Sequence, residues 1–165
     1  MAGENDGQAE AARPVSSLAG EGLVATRSGS YSYFEHQADM GIAGRGSTMK
    51  EAFSQAARAM FNLMVDVDQV RSRKKVFVHC QGNDQGELLV EWLNHLLAEA
   101  DIHGMALATF RVHSLSKTRL SGTACGEPLD RQRHRPKTEV KAATYAMLFV
   151  GQERGQYVAR CVVDL

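Results

Sequence analysis

The residues most open to chemistry lie in four short stretches. In His36-Gln37-Ala38-Asp39 a carboxylate stands in a Gly-containing turn, Asp39-Met40-Gly41, three residues after a histidine that could ligate or hydrogen-bond. The same pattern also suits an Asx turn, in which the aspartate bonds its own backbone. At the other end, Tyr157, Ala159, Cys161 and Val163 alternate with Val158, Arg160, Val162 and Asp164, and Leu165 follows with an α-carboxylate. Two anionic groups side by side offer the hard oxygen ligands that Ca²⁺ or Mg²⁺ prefer; the plain alternative is a solvated terminus. In Glu139-Val140-Lys141-Ala142-Ala143-Thr144-Tyr145 a lysine interrupts an apolar strand on the face expected to hold Tyr145. It serves either a charged partner or the guarding of a sheet edge. Arg131-Gln132-Arg133-His134-Arg135-Pro136-Lys137 is a basic loop able to contact phosphate or simply to be solvated. No phosphate-binding glycine loop, nucleophile elbow or HExxH motif occurs, so no catalytic residue is assigned.

These stretches need a frame. Thr48 and Glu51 have capping-box spacing, and Ala52, Phe53, Ala56, Ala57, Met60, Leu63 and Met64 recur at helical intervals. Asp84 and Glu87 open a second helix whose pairs Leu88/Leu89, Trp92/Leu93 and Leu96/Leu97 repeat every four residues until Gly104. Tyr31–His36, Arg73–Cys80, Met105–Leu115, Arg119–Cys125, Val140–Val150 and Tyr157–Asp164 read as strands, with a turn at Gly151–Gly155 and a polar loop over Gly126–Thr138. Late strands joined by short turns pair antiparallel. The expected fold is α+β, two amphipathic helices packed on an antiparallel sheet.

Composition narrows the function classes. Lys+Arg and Asp+Glu are both 19, so no whole-chain field draws the protein to a polyanion or a membrane. Three dispersed cysteines, Cys80, Cys125 and Cys161, show no zinc spacing and suit reduced thiols in the cytoplasm. No apolar run approaches the ~18 residues of a membrane helix. Residues 1–29 are poor in large apolar groups and read as a disordered tail before a domain over 30–165.

Six blocks carry a resemblance. His36-x-Ala38-Asp39-x-Gly41-Ile42, Ala52-Phe53 with Ala56-Ala57-x-Ala59-Met60-Phe61-x-Leu63-Met64, Leu88-Leu89-Val90-Glu91-Trp92-Leu93-Asn94, Gly126-Glu127-x-x-Asp130, Glu139-Val140-Lys141-Ala142-x-Thr144-Tyr145 and Val162-Val163-Asp164-Leu165 together resemble the archease family over residues 33–165. The resemblance implies a metal-binding accessory protein of an RtcB-type RNA ligase in tRNA splicing or RNA repair, promoting ligase guanylylation and repeated turnover. It implies a metal site at Asp39, Asp164 and Leu165 holding a divalent cation, Ca²⁺ with Mg²⁺ or Mn²⁺ as alternatives. His36 and Lys141 are candidates for contact with the partner ligase, and RNA would be touched only indirectly or transiently. A chaperone or specificity modulator of a tRNA methyltransferase is the alternative role, and a metal-dependent phosphoesterase a second. Gln37, His95, Ala146 and Tyr157 depart from the family pattern, which usually has Thr, Glu, His and Trp there.

Overall fold

Thr48 opens the first helix, α1 (Met49–Met64), from an extended backbone, its Oγ1 accepting from Glu51 N at 3.1 Å. The Glu51 carboxylate reaches one residue farther back than a capping box requires and accepts from Ser47 N at 2.9 Å. Helix α2 (Gln85–His103) starts the same way: Asp84 accepts from Glu87 N at 2.8 Å, and Glu87 accepts from Asn83 N at 2.8 Å. It stops at Gly104, whose φ of 60° is the left-handed value that glycine adopts without strain. Both predicted helices therefore stand, with caps shifted by one residue in the second half of each box.

A computed structural model describes residues 23–25, 30–36 and 39–165. Strands β1 (Leu23–Ala25), β2 (Tyr31–His36), β3 (Asp39–Gly46), β9 (Gln156–Asp164) and β7 (Ala142–Ala143) lie in that order in one antiparallel sheet, with β8 (Phe149–Glu153) also paired to β9. Strands β4 (Lys74–Gln81), β6 (Arg119–Pro128) and β5 (Met105–Leu115) form a second antiparallel sheet. The α+β class holds, but the sheet is divided in two, because both helices lie against strands of each sheet and keep the sheets apart. Leu23–Ala25 falls in the expected tail; its pairing, with Leu23 opposite Phe34, is a strand that composition does not announce. The rest of the expected tail, residues 1–22 and 26–29, lies outside the described residues.

The core between the layers is built on Phe53, Met60, Phe61, Leu88, Leu89, Trp92, Leu93, Leu96 and Leu107, all essentially without solvent contact. Trp92 Nε1 donates to Phe53 O at 3.2 Å, so the largest core side chain also satisfies its one donor. Gly44 of β3 lies against the backbone of Ala52 and Ala56, where a Cβ would collide, so α1 can sit directly on the strand that leads from Asp39.

Candidate functional site

Register decides which candidates meet. In the β2–β3 hairpin His36 is opposite Asp39. Between β3 and β9, Met40 is opposite Val163, which puts Asp39 and Asp164, one step farther on, at the same end of adjacent strands. Directly opposed residues of an antiparallel pair share a face, with Cβ atoms about 5 Å apart. Both aspartates are half-buried, and among the described residues no hydrogen bond or ion pair reaches either carboxylate. The donor set fits a hard divalent ion in type, although among the described residues no three His, Cys, Asp or Glu side chains cluster. Leu165 follows Asp164 at this corner, its side chain packed on the core.

Lys141 reaches the same corner through its backbone. Its amide donates to Asp164 O at 2.9 Å, and Ala142 is opposite Asp164. The Lys141 side chain is exposed. The expected strand over Val140–Val150 does not run through: it is interrupted at Thr144–Leu148, and Lys141 and Tyr145 do not share a strand face. Thr144 N and Oγ1 both donate to Val162 O, at 2.9 and 2.8 Å, while Val162 N donates to Ala146 O at 3.1 Å and Met147 takes φ 53°. The chain thus detours outward and rejoins β9 as β8. Asn94 of α2, in an otherwise apolar stretch, holds β7 in place: its Oδ1 accepts from Ala143 N at 2.8 Å and its Nδ2 donates to Ala143 O at 3.1 Å. A lone amide within the Trp92-Leu93 repeat is the signal in the sequence for this positioning residue.

Residues 31–165 match the Archease protein family (MTH1598/TM1083). The chain belongs to the archease family. It is 39% identical to the protein archease of Thermococcus gammatolerans over 82% of this chain and 98% of that one. With the protein archease of Methanopyrus kandleri it shares 39% identity over 79% of this chain and 96% of that one. The solution structure of Methanobacterium thermoautotrophicum protein 1598 superposes with a TM-score of 0.70 at 30% identity, covering 82% of this chain and 99% of that one. An archease from Thermotoga maritima, described as a possible chaperone, shares the fold with a TM-score of 0.57 at 17% identity, over 79% of this chain and 94% of that one.

The basic loop of this archease family member is not free to meet phosphate at every residue. Asp130 caps a short helix, α3 (Arg131–His134), accepting from Gln132 N and Arg133 N at 3.0 and 3.1 Å. Asp130 N donates to His134 Nδ1 at 2.9 Å, which leaves Nε2–H to donate to Glu127 Oε1 at 2.8 Å. Glu127 is buried and also takes a short charge-assisted bond from Arg133 and one from Arg71 N at 3.0 Å, with Arg73 at 3.6 Å. The Arg133 guanidinium, then the Arg71 amide and His134, hold the Glu127 carboxyl well below the usual carboxylate range. This clasp is structural. It ties the end of β6 to the loop, where the sequence suggests only charge open to phosphate or solvent. The buried thiols are equally unsuited to chemistry: desolvation pushes Cys80 and Cys161 up to about 12, far from thiolate at neutral pH. No helix among the described residues is long and apolar enough to cross a membrane.

Proposed function

We propose that this protein is a metal-binding accessory factor of an RtcB-type RNA ligase, acting through the corner of Asp39, Asp164 and Leu165. The observation that supports the reading is the backbone register that puts two half-buried aspartates at facing strand ends, their carboxylates without a partner among the described residues. A divalent cation held there, Ca²⁺ with Mg²⁺ or Mn²⁺ as alternatives, would supply concentrated positive charge beside the partner's nucleotide phosphates. The chain's own part is positional. Strands β3 and β9 would bring the two carboxylates within reach of one ion, Asn94 anchors β7 against β9, and exposed Lys141, its amide bonded to Asp164 O, would meet a ligase carboxylate or a phosphate. His36, whose backbone is opposite Asp39, is the second candidate for contact with the ligase.

The test is multiple-turnover RNA ligation with a small, fixed amount of ligase and each variant added. Asp39→Asn and Asp164→Asn should lose stimulation while remaining folded. Lys141→Ala should reduce it roughly tenfold, the worth of one desolvated charge-assisted contact. If all three stimulate as the parent does, the mechanism through the acidic corner and Lys141 is wrong; if the parent itself gives no stimulation, the ligase reading fails and a binding role toward a tRNA-modifying enzyme takes its place.

A further inference from the structure

The second sheet has an open face that neither the acidic corner nor the Glu127 clasp uses. On β4, Val76, Val78 and Cys80 point into the core while Lys75, Phe77, His79 and Gln81 point out. Phe77 is 67% exposed, an unusual state for a phenylalanine in mid-strand. Register sets its neighbours: Thr123 of β6 is opposite Phe77, and Arg111 of β5 is opposite Thr123 from the other side. The next row is His79, Ser121 and Ser114, and Arg119 is opposite Gln81. His113 Nε2 lies 2.9 Å from Thr123 Oγ1, on the same face.

What is missing from this face is as telling as what it holds. β4, β5 and β6 contain one carboxylate among them, Glu127, and that one is buried in its clasp. Glu99, which lines the shallow cleft beside Phe77, is paired with His103 at 3.1 Å. The surface is therefore cationic and hydroxyl-rich around a single exposed aromatic ring. A protein partner would look for a broader apolar centre depleted of charge. A polynucleotide with unpaired bases asks for what is present: a ring to stack on, cations for phosphates and small polar groups for base edges.

We propose that the outer face of β4–β6–β5 binds single-stranded nucleic acid, with Phe77 stacking on a base and Lys75, Arg111 and Arg119 tracking the phosphates. This goes beyond ligase activation and makes the nucleic-acid contact direct. The experiment is fluorescence anisotropy of a short labelled oligouridylate titrated with the full chain, without ligase and with chelator present. Acidic-corner or ligase failures then leave the result untouched. An oligothymidylate of equal length and an RNA hairpin duplex separate sugar and strandedness.

Binding should favour the single strands over the duplex and weaken steeply between about 50 and about 200 mM salt. Phe77→Ala should weaken it about tenfold, with Phe77→Tyr retaining it. Arg111→Gln should weaken it several-fold and lower the salt slope by about one. Lys50→Gln, on the exposed start of α1, should bind as the parent does. Both Phe77 and Arg111 are exposed, so these variants should melt with the parent. Absence of binding at low salt, parent-like binding by both Phe77→Ala and Arg111→Gln, or a Phe77-dependent self-association in place of binding would each overturn the proposal.

Discussion

Two carboxylate clusters sit in this small domain, and they are opposites. Glu127 is buried among an arginine, a histidine and a backbone amide, each directed at one oxygen, while a second arginine stands near the other. Asp39 and Asp164 are more exposed, stand at facing strand ends, and among the described residues nothing donates to either side-chain carboxylate. A buried carboxylate whose oxygens are served by fixed donors is finished as structure. Carboxylates with no donor keep their oxygens available, and that is why the proposed metal site is assigned to this pair. Burial alone would rank Glu127 first as a candidate functional group; counting partners favours Asp39 and Asp164 for the proposed site.

The largest expected effect tests the finished cluster. Glu127→Ala would strand Arg133 and the fully buried His134, and its melting temperature should fall by roughly 10 °C or more, as for other broken buried pairs. The sign with pH is fixed by the depressed carboxyl. Its stabilisation is complete above the unfolded carboxylate value of about 4.3 and is lost only as pH falls toward the lower folded value. The gap between parent and Glu127→Ala should thus stay constant from about pH 5 to about pH 7 and narrow only in stronger acid. A gap that closes near neutrality would contradict the clasp.

Next in size is the response of the open cluster to metal. Saturating Ca²⁺, at about a hundredfold excess over its dissociation constant, should add about 2.7 kcal/mol to parent stability, read as a rise in melting temperature. Asp39→Asn and Asp164→Asn should lose most of that rise, and Glu127→Ala should keep it. Equal shifts in parent and both aspartate variants would remove these residues from the site. Smaller still is the effect without metal: Asp164→Asn should stabilise the chelator-treated protein by about 0.5 kcal/mol through relief of repulsion with Asp39, measurable by denaturant titration. The smallest concerns the chain's beginning. Removing residues 1–22 should move the melting temperature by no more than about 2 °C and leave the Ca²⁺ response intact, because so little apolar surface is available there to offset ordering. A large drop would show that this segment supports the domain.

Much of this was legible because local rules acted alone. Thr48 and Asp84 announced both helices, since an N-cap bond forms within three residues of itself. Gly104 ended α2 through its own backbone freedom. The alternation of β4 followed from a period of two that needs no partner to be recognised, whereas β5 and β9 are buried on both faces over Met105–Ala108 and Cys161–Val163 and do not alternate there. Legibility failed where two distant segments had to agree. Val140–Val150 is interrupted because Thr144 bonds Val162, and the polar loop after Gly126 is clasped because Glu127 faces residues on both sides of it in the chain. Asn94 looked like an ordinary helix residue until Ala143 arrived beside it.

The sequence by itself determined the helices, most of the strands, the absence of a recognisable nucleophile motif and the residue types able to hold a hard cation. Family blocks nominated Asp39, Asp164 and Leu165 together, but nothing in their own segments could bring them within reach. Only the tertiary structure decided that. The β3–β9 ladder sets the ends of two strands side by side, although more than a hundred residues of chain separate them. It also decided that Phe77 faces outward over a sheet with no exposed acid, because which side of a strand is covered depends on where the helices pack. Local periodicity can say that a strand has two faces; only packing assigns one of them to the core and leaves the other for a partner.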